Sequence, residues 1–309
     1  SLTETSRGGK LPPMMTKFTE KNQKFPGKLG NRMRSNVAIF LACASIAAAT
    51  WTEQTCAAAE LKAETSAAFD AYIKTSEAKM DAELTSRESF LWIEGLSGEE
   101  RTKVYDELRA GQAVVENARG SNASGVLAVP GGLIHDWRGV VFVPGIPMAE
   151  AIWLLEDYDH DEEYYRPDVV RSKLIARADD NYHVYLRLKR KYVVTAVFDT
   201  AYDIRYTTLN VTHAYSRSRS TRIQEVENAG QPDEHDDPPG NDHGFLWRLN
   251  SYWRFEQADG GVYIECEAIS LTRDVPEGLG WAAKPFLEQI PQESLRFTLA
   301  ATRAALRKK

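Results

Sequence analysis

The chain has 309 residues, 43% of them hydrophobic and 27% charged, with a formal net charge of −6. That is ordinary globular composition, which excludes a collagen-like or low-complexity chain. Residues 1–59 hold eight Lys/Arg against three Asp/Glu, so the other 250 carry 30 against 41. A body that acidic is a poor match to a phosphate backbone, and nucleic acid is not expected as a partner.

Residues 1–32 are rich in Lys, Gly, Pro and Ser/Thr without periodicity, and read as a disordered or upstream tail. Residues 33–59 read as a signal peptide. Lys28, Arg32 and Arg34 lie before or at its start, residues 37–49 are free of charge, and small residues follow at Ala47–Ala49 and Ala57–Ala59. A basic region, a short apolar stretch and an A-x-A site are the parts of an export signal. Thirteen apolar residues span about 20 Å as a helix, short of a bilayer core of about 30 Å. The expected location is therefore periplasmic or secreted, with cleavage after Ala59, or failing that Ala49. Removal of this segment takes Cys43 and Cys56 with it and leaves Cys266, expected as a small buried hydrophobe in a strand.

Residues 60–116 are expected as a helical hairpin. Phe69, Tyr72, Ile73, Met80 and Leu84 recur at helical spacing, and Ser97 with Glu100 forms a capping box for a second helix that Gly111 ends. Residues 117–132, Gly-, Ser- and Asn-rich, read as a linker. From 133 the pattern turns to strands, first at 137–143. A short helix after Pro147 follows, with Ala151, Leu154, Leu155 and Tyr158 on it. Six extended segments come next, at about 168–178, 181–191, 193–209, 211–228, 244–257 and 261–273. Short turns such as Asp259-Gly260 make neighbours antiparallel, and strands this long suit a curved sheet. Residues 277–307 form a last helix, with Leu279, Phe286, Leu287, Ile290, Leu295, Leu299 and Leu306 as its apolar positions. Pro285 and Pro291 are expected to kink or break it.

Sequence motifs for catalysis are missing: there is no G-x-S-x-G, P-loop or H-E-x-x-H. Two acidic clusters contain histidine. Asp157, His160, Asp161, Glu162 and Glu163 form one; Asp233, His235, Asp236, Asp237, Asp242 and His243 form the other. The second has no ligand spacing of a known kind and reads as a solvated acidic loop; the first has no nucleophile motif nearby and reads as structural or solvated. No catalytic residue, metal or cofactor is expected.

This α+β order resembles the START-like superfamily, also called SRPBCC or helix-grip, which includes polyketide cyclases and coenzyme-Q-binding proteins. The resemblance covers about residues 133–309. It is carried by VFVPGIPMAEAIWLLEDYDHDEEYYRPDVVRSKLI, by NSYWRFEQADGGVYIECEAISLTRDVPEGLGW and by PFLEQIPQESLRFTLAATRAAL. The chain is also similar to exported bacterial proteins. The resemblance implies a curved antiparallel sheet around a long C-terminal helix, holding an apolar ligand such as a lipid, quinone or polyketide-like molecule, with transient membrane contact possible. The alternative it implies is a cyclase- or hydrolase-like enzyme using acid/base groups in the same cavity. A third reading has the N-terminal hairpin docking a partner.

Alternation then assigns faces. Leu249, Ser251, Trp253 and Phe255 share one, with Ile264, Cys266, Ala268 and Ser270 opposite. Arg248, Arg254, Glu265 and Glu267 are expected as outward ladders. The cavity walls are expected to include Trp247 or Trp253, Leu249, Ser251, Cys266, Tyr185 or Leu186, and Trp281, Phe286 and Ile290 of the helix. Arg217 either holds an anionic head group inside or pairs outside with Glu265 and Glu267.

Overall fold

A computed structural model describes residues 59–85, 89–120, 125–191, 195–274 and 280–308, with side chains from 289 onward in the last segment. The expected tail, the export signal up to residue 58, Cys43, Cys56 and the side chains of Trp281 and Phe286 lie outside the described residues.

Two helices lead. α1 (Ala63–Thr85) buries Phe69, Ile73 and Met80, the face its spacing indicates. A 3-10 turn (Trp92–Gly95) precedes α2 (Gly98–Arg109), which buries Val104 and Leu108. A bridge strand, β1 (Ala59–Glu60), lies before α1.

Among the described residues the sheet has ten strands. β2 (Val114–Asn117), β3 (Val126–Val129) and β4 (Gly132–Pro144) begin it. The segment expected as a linker thus adds β3 to the edge of β4; a four-residue apolar run is too short for its period to be read. Two short helices, α3 (Met148–Glu156) and α4 (Asp161–Tyr164), follow. The long strands are β5 (Val169–Ala178), β6 (Asn181–Lys191), β7 (Thr195–Thr208) and β8 (His213–Glu227). The bridge strands β9 (His235–Asp236) and β10 (Asn241–Asp242) lead to the last hairpin, β11 (Arg248–Ala258) and β12 (Gly261–Arg273). The order across the sheet is β2-β4-β12-β11-β8-β7-β6-β5, with β9 on β8; β1 pairs β10 separately. Every pair is antiparallel. Positive φ at Asp259 and Gly260 makes the final hairpin turn a two-residue primed turn, which matches the strand twist. Register shifts in β5 and between Ala201 and Tyr202 of β7 are the bulges that bend such a sheet.

α5 (Gly280–Leu306) closes the fold as one continuous helix. It does not break at Pro285 or Pro291; each proline removes one N–H from the ladder without ending it. Leu295, Leu299 and Leu306 seat it on the inner face of the sheet, together with α3. Gly139 makes the close approach possible: a Cβ there would stand 2.8 Å from both Leu299 Cδ1 and Val115 Cγ2. The curved antiparallel sheet with a helix across its inner face is the helix-grip arrangement implied by the sequence.

The outer face is covered too. α1 packs Phe69, Ile73 and Met80 on Ile134, Ile269, Leu271, Tyr252 and Trp247. The 3-10 turn and α2 pack Leu91, Trp92, Ile93, Val104 and Leu108 on Val140, Phe142 and Tyr263.

Candidate ligand-binding face

The inner face divides into two halves. One is filled. Val141, Val143, Ile264, Phe255, Tyr182, Tyr206 and Ala214 from the sheet meet Ala151, Leu154 and Leu155 of α3 and Leu299 and Leu306 of α5, all buried. The other half lies along Leu186, Leu188, Leu249, Trp253 and Trp137, which pack at the core's margin and stay half-buried. Its central row runs Trp137, Ala268, Ser251, Ser218, Ile204 across five strands by register. Three small side chains in succession leave this row shallow between a tryptophan and an isoleucine.

Polar atoms on the inner face that are buried without a hydrogen-bond partner among the described residues include Trp137 Nε1, Ser216 Oγ and His135 Nδ1. Buried polar atoms are seldom left so. His135 lies in register with Ser270, which faces Leu249. Its Nε2 is 3.0 Å from Thr272 Oγ1. Burial pushes its pKa down to about 4, which keeps the imidazole neutral. An apolar strip with a few orphan polar groups is the usual lining of a small-molecule site.

The sequence-derived wall residues separate as follows. Leu186, Leu249, Ser251, Trp253 and Cys266 share the inner face; Cys266 is fully enclosed in its core, where burial holds the thiol well above its ordinary range. Ile290 is half-buried on α5. Three others lie elsewhere. Tyr185 is on the outer face, where its hydroxyl donates to Asp199 Oδ1 at 2.6 Å. Trp247 packs with α1 and donates from Nε1 to Asp242 Oδ1 at 3.0 Å. Arg217 points outward and pairs with Asp81 of α1, while its neighbour Arg219 grips Glu77 at 2.6 and 2.7 Å. Neither arginine pairs with Glu265 or Glu267, because α1 stands over this face and supplies the carboxylates.

The outward ladders need the same correction. Arg254 and Glu265 face each other in register as expected, yet both are buried beneath the N-terminal segment. Arg254 donates to Phe90 O and to Glu83 Oε2, each at 2.7 Å. Glu265 accepts the Trp92 N–H at 2.8 Å. Asp136 accepts from the Tyr72 hydroxyl at 2.7 Å. Burial, helped by Asp136 and Glu265, pushes Glu267 up to about 8.

His160 is more than half exposed and pairs with Asp157, and His183 pairs with Asp203 on the outer face. Asp161 of α4 takes the structural of the two roles expected of its cluster. It is buried, and desolvation with the Asp157 charge pushes it well above the ordinary carboxylate range. Tyr158, Tyr165 and Tyr206 feel its charge, and the Tyr158 and Tyr206 hydroxyls lie 2.9 Å apart. The sequence did carry a signal here: Tyr158, Asp161 and Tyr165 recur at three and four.

The N-terminal hairpin turns its apolar faces to its own sheet. The large apolar side chains exposed among the described residues, Trp153, Val170, Ile175, Leu209 and Val211, all lie outside 61–110. Two surface hollows are placed along α2, away from the inner face.

No family model matches the chain, and no curated protein matches it. Among solved structures, the chain is similar to a STAR-related lipid transfer protein fragment from Xanthomonas axonopodis: 19% identity over 61% of this chain and 97% of that one, TM-score 0.42. It is similar to the Zhui aromatase/cyclase from Streptomyces sp. R1128, with 12% identity over 57% and 94%, TM-score 0.38. It is also similar to the human StarD13 lipid transfer and protein localization domain, with 11% identity over 68% and 98%, TM-score 0.38. At these scores the fold stands on its own strand order and helix packing.

Proposed function

We propose that the chain binds an apolar small molecule, of lipid, quinone or polyketide-like kind, on the half-buried strip of the inner face. The observation that carries this is the row Trp137-Ala268-Ser251-Ser218, bordered by Trp253 and Leu249, with orphan polar atoms on the same face. Apolar surface kept partly uncovered inside a fold is unfavourable by about 25 cal/mol per Å², and a ligand relieves it. Ser251→Trp would fill the row. Titration with a dansyl-labelled fatty acid and a short-chain benzoquinone tests the reading. Saturable binding near one per chain is expected for the wild type, and loss of it in Ser251→Trp at unchanged melting temperature. Absence of saturable binding, or equal binding by the variant, overturns it.

Export to the periplasm or beyond is part of the same proposal, and the basic, apolar and A-x-A succession in residues 33–59 supports it. N-terminal sequencing of protein from cell fractions tests it: a start at Glu60 or Thr50 supports export, an intact residue 33–59 segment refutes it.

A second reading, an acid/base enzyme, is supported by Asp161, a buried carboxyl pushed well above its ordinary range by desolvation near Tyr158, Tyr165 and Tyr206. Wild type and Asp161→Asn would be compared on p-nitrophenyl butyrate and on a linear poly-β-ketone. Turnover that the variant loses supports it; equal rates dismiss it.

A further inference from the structure

We infer that Glu225, Glu227 and His243 form a binding site for a divalent transition-metal ion. The ligand atoms of the three side chains all lie within 4.8 Å of one another. His243 Nδ1 is 3.3 Å from Glu225 Oε1 and 3.2 Å from Glu227 Oε1. Those are edge lengths of a coordination polyhedron: ligands about 2.1 Å from a tetrahedral ion are roughly 3.4 Å apart.

A second observation concerns the imidazole nitrogen itself. The His243 side chain is 28% exposed, but its Nδ1 is shielded from solvent and makes no hydrogen bond among the described residues, although two carboxylate oxygens flank it. A cation between the three atoms takes the imidazole lone pair and one oxygen from each carboxylate. The Glu225 side chain is only 5% exposed, so its charge is withheld from water. A buried carboxylate calls for a cation or its equivalent.

The site is also held in place. His243 donates its backbone N–H to Glu225 Oε2 at 3.1 Å, and Asp237 donates its own to Glu225 O at 2.8 Å. The next residue along the chain from His243, Gly244, donates to Asp242 Oδ1 at 2.7 Å, and Trp247 Nε1 anchors the same oxygen. Phe245 stacks on the imidazole, with ring centroids 5.7 Å apart. Glu225 and Glu227 alternate on one face of β8, and the connection 228–243 folds back along that strand through β9. Ligands fixed by such supporting bonds are the mark of a preorganised site.

One imidazole and two carboxylates suit Zn²⁺, Mn²⁺ or Fe²⁺ better than the all-oxygen shells of Ca²⁺ or Mg²⁺. Three protein ligands leave at least one coordination position for water or another donor. Phe245 also packs with Phe198 and Ile223 at one end of the inner face, but the metal site does not depend on apolar-ligand binding.

The test uses the full chain, stripped with chelator and titrated with Zn²⁺, Mn²⁺ and Mg²⁺ by calorimetry. One Zn²⁺ or Mn²⁺ per chain is expected, with Mg²⁺ much weaker. His243→Ala and Glu227→Gln should each weaken binding by roughly 100-fold. His235→Ala, an exposed neighbour on β9, should leave it unchanged. Glu227 is about one-third exposed, so its amide variant keeps the fold, which circular dichroism verifies. Absence of stoichiometric binding, or binding that is equal in wild type, His243→Ala and Glu227→Gln, overturns the site.

Discussion

On the inner face of β4, β12 and β11, Val141, Ile264 and Phe255 lie in register; one residue further along β12 and one residue back along β4 and β11, on the outer face, the row is Val140, Glu265 and Arg254. Both rows are buried. The inner one is covered by α3 and α5, and the outer one by the 3-10 turn and α1. Apolar side chains need only volume from their cover, whereas Glu265 and Arg254 need partners at fixed positions. Phe90 O, Glu83 and the Trp92 N–H supply them. The leading helices therefore act as the polar half of the fold's second core, and are not an appendage.

If that is right, the outer face should be the less tolerant of truncation. Arg254→Ala leaves Glu265 buried without its cation. The expected loss is about 3–5 kcal/mol, read by urea denaturation. A loss below about 1 kcal/mol would mean that water reaches this row. Leu299→Ala on the inner side should cost about 3 kcal/mol through the cavity it leaves against Gly139. The comparison inverts if Leu299→Ala proves clearly the more damaging of the two.

Glu267 sharpens the contrast through pH. Its folded-state pKa is raised to about 8, above the value near 4.3 of an unfolded Glu. Its contribution to stability is full below the unfolded value and is lost as pH rises through the folded one. Glu267→Gln does not titrate. The variant should match the wild type below about pH 4 and gain on it steadily to about pH 8. Parallel melting curves across that range would show that the outer face is not desolvated. The smallest effect belongs to its rim. Asp81→Ala removes the partner of Arg217, but Asp81 is largely exposed. A change within about 0.5 kcal/mol is expected.

Much of this was legible from the chain alone. The strand boundaries from 168 to 273 and the last helix follow from alternation, turn residues and spacing, all of which act within a few residues. Alternation also put Leu249, Ser251, Trp253 and Cys266 on one face, since a period of two needs no tertiary information. Where two adjacent residues competed, as with Tyr185 and Leu186, only the register with β7 chose between them.

The sequence by itself determined the long strands from 168 to 273, the antiparallel pairing of hairpin neighbours and the last helix; the short strands β2, β3, β9 and β10 and the order across the sheet came with the tertiary structure. Tertiary structure alone decided what covers each face. An exposed ladder and a buried ion pair have the same alternating charges, so nothing local distinguishes Arg254 with Glu265 from a solvated pair. It also decided which distant donors meet: His243 reaches Glu225 and Glu227 only because residues 228–243 fold back along β8, and loop closure leaves no periodic trace in a sequence.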